Sequence, residues 1–430
     1  MTLADDIRFF AASDVGRTRD HNEDNFLIDG RLALFVVADG MGGHAAGEIA
    51  SAIAVRIVHE EVRRERALVE AYGRRGGSTP EAAKQILSML ERAVQRACAR
   101  VHAEARADSG KRGMGTTLSV LLLAGPSGFL AHVGDSRIYL FRGEKMQQLT
   151  EDHTVCSELL RRGKMHPDEI EKVAQKNAIT RAVGVYERVE VDTLRLDVQP
   201  GDQYLLASDG LHGYIGHIAE LEPYLDDPEG ERATRELVEL ANRKGGRDNI
   251  TAVLVRVGAG DAIDAARARL RARAHDVLEA MPLFSGLGER GLLRVLSVTE
   301  VVRASAGDVL VREGDKGDEL YVVLSGLCRV HRGATPLGDI VPGEHFGELA
   351  LVRDLPRSVS VHAVEQTELA VLHRADLFDL LRREPELGVK LCWQMVGALA
   401  DRLDRASFDL TAGRLEHAVA DAVGATRPEP

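Results

Sequence analysis

The amino-acid sequence predicts an α+β protein of two modules. In the first, buried strands alternate with long helices; the second is a small antiparallel β-roll, jelly-roll-like, closed by C-terminal helices. Three observations predict this. The apolar runs LFVVADG (34–40), LAHVGDS (130–136), YLLASDG (204–210) and RDNITAVLVRV (247–257) have the length and the glycine borders of buried strands. Residues Ile86, Leu90, Val94, Ala97 and Val101 recur at helical spacing. From Met281 to about Leu372, short strand-like segments are punctuated by glycines at 307, 314, 326, 333 and 343, the rhythm of an antiparallel roll.

The elements follow in order. A first helix is expected from near Ala45 to about Ala71, then a loop, YGRRGGST (72–79). The second helix has a marked start: Thr79 can cap, Pro80 fits the first helical position, and Glu81 suits the positive end of the helix dipole. An amphipathic stretch at 231–244 stops at Gly245-Gly246. Residues 7–258 form the first module, and 259–280, rich in Ala and Arg, a helical linker. Its arginines 267, 269, 271 and 273 spread around a helix as a solvated face. The second module spans 281–407 with a helical tail from 375, and 408–430 is expected to be a flexible tail.

Composition narrows the function. The hydrophobic fraction is 44% and the charged fraction 28%, ordinary for a globular protein. A net charge of −12 argues against nucleic acid as a partner. No apolar stretch approaches the ~20 residues of a spanning helix, and no signal peptide is evident, so neither a membrane nor export is expected. Cys98, Cys156, Cys328 and Cys392 lack CxxC spacing and read as reduced thiols. A cytoplasmic protein is the expectation.

The chemistry begins with Asp39, Asp135, Asp209 and Asp248, each at the rim of a strand-like run, where their carboxylates can converge. Clustered carboxylates repel unless cations lie between them, and oxygen-only ligand sets suit Mg²⁺ or Mn²⁺. Further groups surround them in SDVGRTRDHNEDNF (13–26), VADGMGGHAAGEIAS (37–51), RGMGTTL, HVGDSRIYL, LTEDHT, ITRAVG, LLASDGL and GGRDNIT. With these motifs in this order, residues 10–257 resemble the metal-dependent Ser/Thr protein phosphatases of type 2C in their bacterial form.

The resemblance implies a phosphatase β-sandwich flanked by helix pairs (α-β-β-α), with two Mn²⁺ or Mg²⁺ ions at one end. It implies that Asp39 bridges both ions with the Gly40 carbonyl as a further ligand. Asp209 and Asp248 complete the set, and Glu23 and Asp24 hold bound waters. Asp135 serves a third ion, and Arg19 grips phosphate with its planar fork. Activated water is then expected to attack phosphorus in line on phosphorylated Ser/Thr proteins, without a covalent intermediate. His44 is the candidate proton donor, because its unperturbed pKa lies near working pH. Here the chain departs from the eukaryotic pattern, which has a histidine directly after Asp-Gly; this chain has Met41. Residues 155–177 match the mobile flap of relatives.

The second module carries PGEHFGELALVRDLPRSVSVHAV (342–364). Backbone amides of Gly347, Glu348 and Leu349 at a helix start can donate to phosphate oxygens, and Arg357 can return to the same anion. Glu348 fits such a site only by accepting from a sugar hydroxyl. Residues 281–405 resemble the cyclic nucleotide-binding domain, with FGELAL…PRS as its phosphate cassette. The resemblance implies Arg357 on the cyclic phosphate of cAMP or cGMP, Glu348 on the ribose hydroxyl and Ser358 near phosphate or base. A metal-binding cupin fits less well, since His331, His345, His362 and His373 are scattered. The expected function is a cyclic nucleotide-responsive phosphatase. Two alternatives stand: a nucleotide-sensing scaffold with an inactive phosphatase module, and a phosphatase of small phosphoesters.

Overall fold

The apolar runs fold into antiparallel strands because both faces of each run find a partner layer. The computed structural model describes residues 6–42, 46–74, 79–143, 145–166, 178–260, 262–352, 355–397 and 400. The chain divides into two units, Met1–Arg269 and Leu270–Pro430. In chain order the first unit's strands are β1 (Ile7–Asp14), β2 (Asp24–Asp29), β3 (Leu34–Met41), β4 (Gly115–Thr116), β5 (Leu118–Ala124) and β6 (Ser127–Val133). Then come β7 (Arg137–Arg142), β8 (Lys145–Gln148), β9 (Asp192–Asp197), β10 (Gln203–Ala207) and β11 (Ile250–Val257). One sheet has the order β1-β11-β10-β7-β8 and the other β2-β3-β5-β6-β9, with β4 paired to β3.

Helices cover both outer faces. They are α1 (Ala46–Arg64), α2 (Arg66–Arg74), α3 (Pro80–Ala107), α4 (Val155–Arg161), α5 (Asp209–His212), α6 (Glu222–Leu225) and α7 (Gly230–Arg243). Leu34, Val36 and Ala38 of β3 join α1 and α3 in one apolar cluster. Leu205, Ala207, Ala252 and Leu254 join α7 in another. The alternate residues Phe35, Val37, Leu121, Leu206, Val253 and Val255 are fully buried and fill the space between the sheets. The first unit is thus a four-layer α-β-β-α sandwich, and burial on both faces explains why its strands read as unbroken apolar runs. Thr79 caps α3 by accepting from the Ala82 amide.

One helix boundary differs from the sequence reading. The stretch expected to end near Ala71 runs on to Arg74, with a single tightened turn at Glu65, whose carbonyl accepts from Leu68 N at 2.9 Å. No proline or glycine marks that turn, so periodicity passes straight through it.

The second unit packs two four-stranded sheets. Its strands are β12 (Thr299–Ala304), β13 (Val309–Val311), β14 (Glu319–Ser325), β15 (Cys328–Arg332), β16 (Thr335–Ile340), β17 (His345–Phe346), β18 (Ser360–Ala363) and β19 (Thr367–His373). The orders are β12-β19-β14-β17 and β13-β18-β15-β16. Val323, Cys328, Phe346, Val361 and Leu369 fill the roll. Helices α8 (Ala262–Ala280), α9 (Gly288–Ser297), α10 (Leu349–Val352) and α11 (Arg374–Arg383) complete the element list, and residues 385–397 are helical as well. Within this unit, residues of α8, α9 and α11 form an apolar cluster with the outer face of β14 and β19.

Three expectations change here. Strands do not begin at Met281: residues 281–297 turn and form α9, because Leu292, Val295 and Leu296 recur at helical spacing on that cluster. The tail helix is broken at Glu384, whose extended φ of −125° is what a following proline imposes. The linker arginines are not all solvated, since Arg271 is half-buried and donates to the Thr299 carbonyl, while Arg273 stays exposed and pairs with Glu368. The expected flexible tail lies outside the described residues. Among the described residues no helix is long and apolar enough to cross a membrane. Replacing Phe35 by Ala at the centre of the sandwich should cost about 3–5 kcal/mol, read as a lower urea midpoint for the first unit's unfolding.

Candidate active site

Asp39 lies near the end of β3, and its neighbour across the β2–β3 ladder is Asp24. Asp135 follows β6, Asp209 opens α5 directly after β10, and Asp248 precedes β11. The strands therefore deliver these carboxylates to one rim of the sandwich. The side chains of Asp39 and Asp209 lie within hydrogen-bonding reach of each other. Asp39 also feels the charges of Asp24 and Asp135, and Asp209 feels that of Asp248.

Burial and mutual repulsion raise the carboxyls of Asp24, Asp39, Asp135 and Asp209 above the ordinary range. Asp24 and Asp135 are each pushed up to about 7, chiefly by burial; hydrogen bonds from Thr251 and Ser208 pull Asp24 part of the way back, while Asp209 repels both. Asp39 is raised well above the usual value by burial and then by Asp24, Asp209 and Asp135. Asp209 is raised by burial and by Asp248. Asp24 Oδ1, Asp135 Oδ1 and Asp209 Oδ1 are buried without a hydrogen-bond partner among the described residues. Buried acceptors of this kind are costly unless something cationic or protonated meets them.

The surroundings hold the cluster in place. Asp39 donates its amide to Thr117 Oγ1 at 2.8 Å, and Thr117 in turn meets Ser136 at 2.7 Å. The Asp39 carbonyl accepts from Thr116 Oγ1 and the Thr117 amide, both at 2.9 Å. Asp24 Oδ2 accepts from Ser208 Oγ at 2.8 Å and Thr251 Oγ1 at 2.6 Å. Gly40 must be glycine, since a Cβ there would lie 2.2 Å from the Gly47 carbonyl oxygen. Glu23 faces the same corner: its Oε1 accepts from Gly47 N at 3.2 Å, and its carbonyl from Gly40 N and Ser51 Oγ.

Arg19 sits at the open edge, its side chain 48% exposed, and donates to Asp248 Oδ2 at 2.7 Å. That bond raises its pKa further above an already high value. The guanidinium is thus fixed at the mouth of the carboxylate cluster, with its remaining donors near solvent. His44 lies outside the described residues.

Two positioning residues escape a motif reading. Asn249 accepts from Glu23 N and donates from Nδ2 to the Val15 and His21 carbonyls, stitching the β1–β2 loop to the Asp248 turn. Its place in RDNIT beside Asp248 was the available signal. His212, pushed down to about 4 by burial and then by Arg137, is neutral and donates from Nε2 to the Asp135 carbonyl at 2.9 Å. Arg137 itself is paired with Asp152. In the region matched to a flap, α4 is present and residues 167–177 lie outside the described residues.

In the second unit Arg357 is almost fully buried, yet its first partner is a carboxylate. Nη2 donates to Glu319 Oε2 at 2.6 Å and to the Glu319 carbonyl at 3.1 Å, and Nη1 reaches the Gly347 carbonyl at 3.5 Å. Gly347 thus meets Arg357 directly. The amides of Ala350 and Leu351 bond back to the carbonyls of Gly347 and Glu348, which coils 347–351 into a helical start led by Glu348 and Leu349. Ser358 follows Arg357, exposed, its carbonyl accepting from Arg332. Glu319 was not singled out by sequence, because it belongs to a strand remote from the cassette. Two histidines expected to be isolated are not: His331 and His362 lie on paired strands with ring centroids 5.3 Å apart.

A carboxyl whose pKa is higher folded than unfolded binds more protons in the native state. Stability is then lost as pH rises from the unfolded value through the folded one. With Asp24 and Asp135 at about 7 against an ordinary 3.8, the first unit in a chelator should lose thermal midpoint as pH is raised across that interval. Asp39→Asn should flatten the fall. Thermal scans with EDTA check this, and a midpoint that rises over that interval contradicts a repelling cluster.

Comparison with known proteins agrees with this geometry. Residues 17–254 match the family model of protein phosphatase 2C, and residues 301–384 that of the cyclic nucleotide-binding domain. The chain is 38% identical over 250 residues to the serine/threonine phosphatase stp of Listeria innocua, covering 56% of this chain and 93% of that protein. It is 36% identical over 253 residues to protein phosphatase PhpP of Streptococcus pneumoniae, covering 58% of this chain and 97% of that one. Among solved structures, the serine/threonine phosphatase PstP/Ppp of Mycobacterium tuberculosis aligns with a TM-score of 0.51 at 33% identity, over 59% of this chain and 99% of that one. A sandwich rimmed by carboxylates, matched in sequence and in fold over its whole length, leaves one assignment: the chain belongs to the protein phosphatase 2C family and carries a cyclic nucleotide-binding domain after its phosphatase module.

Proposed function

We propose that this chain hydrolyses phosphoserine and phosphothreonine in proteins in a reaction that requires Mn²⁺ or Mg²⁺, and that a cyclic nucleotide in the second unit regulates it. The observation that carries the reading is the group of buried carboxylates at one rim of a phosphatase 2C sandwich, three of which, Asp24, Asp135 and Asp209, each keep one oxygen without a hydrogen-bond partner among the described residues. All-oxygen donor sets of this kind fit hard divalent cations. In our reading Asp39, the Gly40 carbonyl, Asp209 and Asp248 hold two ions, Glu23 and Asp24 hold their waters, and Asp135 holds a third. Bound there, the cations would supply Lewis-acid charge and lower the pKa of water.

The chain's own groups bind and orient. Arg19, anchored through one nitrogen by Asp248, offers its remaining donors to phosphoryl oxygens, where a planar fork fits two at once. The same anchor keeps the guanidinium from swinging away, so the phosphate is held in a fixed direction relative to the carboxylates. Thr117, backed by Ser136, holds the Asp39 backbone, and the Asn249 amide donates to Asp248 Oδ1. His44 is our candidate for returning a proton to the departing Ser or Thr oxygen. In the second unit we assign Arg357 to the cyclic phosphate, with the Gly347, Glu348 and Leu349 amides, Glu348 to the ribose hydroxyl and Ser358 beside them. Phosphate would then exchange with Glu319 for the guanidinium.

The deciding assay is hydrolysis of a phosphothreonine peptide with manganese, with and without cAMP or cGMP. Turnover should stop in EDTA. Asp209→Ala should abolish it, and Arg19→Ala should lower kcat/KM about ten- to a hundredfold, the value of a charge-assisted contact of roughly 1.5–3 kcal/mol. An Asp209→Ala protein with full effect would favour a scaffold, and preference for small esters over the peptide a different substrate class. Arg357→Ala should weaken nucleotide binding by a similar factor in calorimetry. Unchanged turnover on demonstrated binding would reject direct regulation.

A further inference from the structure

In the first unit, Val185 and Tyr186 are exposed side by side, and Tyr186, 73% exposed, is the most exposed of the large apolar residues described there. An exposed tyrosine is ordinary on a loose loop, but this one is tightly fastened. The Tyr186 carbonyl accepts from Cys98 Sγ at 3.1 Å, and the same sulfur lies 3.4 Å from the Gly184 amide. The Gly184 carbonyl lies 3.2 Å from His102 Nδ1, and Gln95 Oε1 accepts from the Val189 amide. Gly184 turns with φ +95°, and a Cβ there would lie 2.1 Å from Val101 Cγ1, so the chain is pressed against α3. Six residues of loop, 184–189, are thus clamped along one helix while their apolar tip is left in water.

The tip stands close to the carboxylate rim. Val183 exchanges both backbone hydrogen bonds with Thr116, at 3.0 and 2.9 Å, and Thr116 pairs with Gly40 on β3. The Val185 side chain lies over Gly115, which pairs with Met41. Val183 is therefore two strand spacings, about 10 Å, from the Asp39–Gly40 segment. An extended peptide advances about 3.3–3.6 Å per residue, so that distance is two to three residues from a phosphorylated residue seated at the rim.

We propose that Val185 and Tyr186 form a docking platform for the phosphoprotein substrate, taking an apolar side chain two to three residues from the phosphorylated Ser or Thr. The inference rests on the reading of the rim as the hydrolytic site. With its backbone already fastened, Tyr186 has only its two side-chain torsions left to order when a ligand covers it. The platform acts on protein substrates and leaves small esters untouched.

The test compares a phosphothreonine peptide bearing Leu on both flanks at two and three residues with p-nitrophenyl phosphate, on the full chain with manganese. Tyr186→Ala should raise KM for the peptide about tenfold, with kcat and p-nitrophenyl phosphate turnover unchanged. Tyr186→Phe should retain peptide affinity, and replacing the flanking Leu residues by Gly should remove the difference between wild type and Tyr186→Ala. Equal losses on both substrates would mean a structural role, and no loss on either would mean a bare surface; both overturn the platform. Absence of wild-type turnover on p-nitrophenyl phosphate would instead overturn the hydrolytic reading beneath it.

Discussion

The organising constraint of this protein is electrostatic. Acidic side chains from four separated stretches of sequence, Asp24, Asp39, Asp135 and Asp209, are forced toward one rim of a sandwich, where burial and mutual repulsion both oppose their ionisation. Left to themselves such groups would take up protons or push the strands apart. They stay because the strands carrying them are fixed by a core they do not touch. Phe35, Val37, Leu206 and Val253 lock the two sheets face to face, so the positions of Asp39 and Asp209 are set by packing rather than by their own preferences. The strain at the rim is what a bound cation would relieve.

Geometry at this rim is set by main-chain bonds more than by the acidic side chains. The Asp39 amide and carbonyl are both tied to Thr116 and Thr117 on the neighbouring strand. Asn249 reaches three backbone groups across the β1–β2 loop. Gly40 admits the Gly47 and Glu23 carbonyls where any side chain would collide. A carboxylate held this way cannot drift when its charge state changes, which is what a site for repeated turnover needs.

Much of this was legible from residue order, for a definite reason. Aspartates at the ends of apolar runs, as Asp-Gly after two strands and Asp-Asn before a third, mark both the strand end and the group placed there, so Asp39, Asp209 and Asp248 were found together with the strands that carry them. Asp24 was legible as an acid near the site, but its partners Ser208 and Thr251 were not, because they approach from about two hundred residues away. The same limit hid Glu319. FGELAL and Arg357 form a local pattern, whereas the carboxylate that meets Arg357 comes from β14, and no spacing rule joins them. Residues 281–297 were misread for a different reason: short apolar runs between glycines fit a strand or a helix, and only the cluster beneath Leu292, Val295 and Leu296 decides it. Where the chain's chemistry is local the text is explicit, and where it depends on meeting a distant segment the text is silent.

The Arg357–Glu319 pair also bears on how a nucleotide could be felt elsewhere. Glu319 opens β14, and its neighbour Asp318 accepts from the Arg374 amide at the head of α11 at 2.8 Å. Leu377 and Leu380 of α11 share an apolar cluster with Ala274 and Leu278 of α8. A contiguous series of contacts therefore runs from the guanidinium to the helix that continues from the first unit's last residues. An anion that drew Arg357 from Glu319 would free a carboxylate at the start of that series, and the work available to move α8 could not exceed the difference in nucleotide affinity between the two arrangements. Such a coupling would be reciprocal: a condition that held α8 in one arrangement would change nucleotide affinity by the same factor.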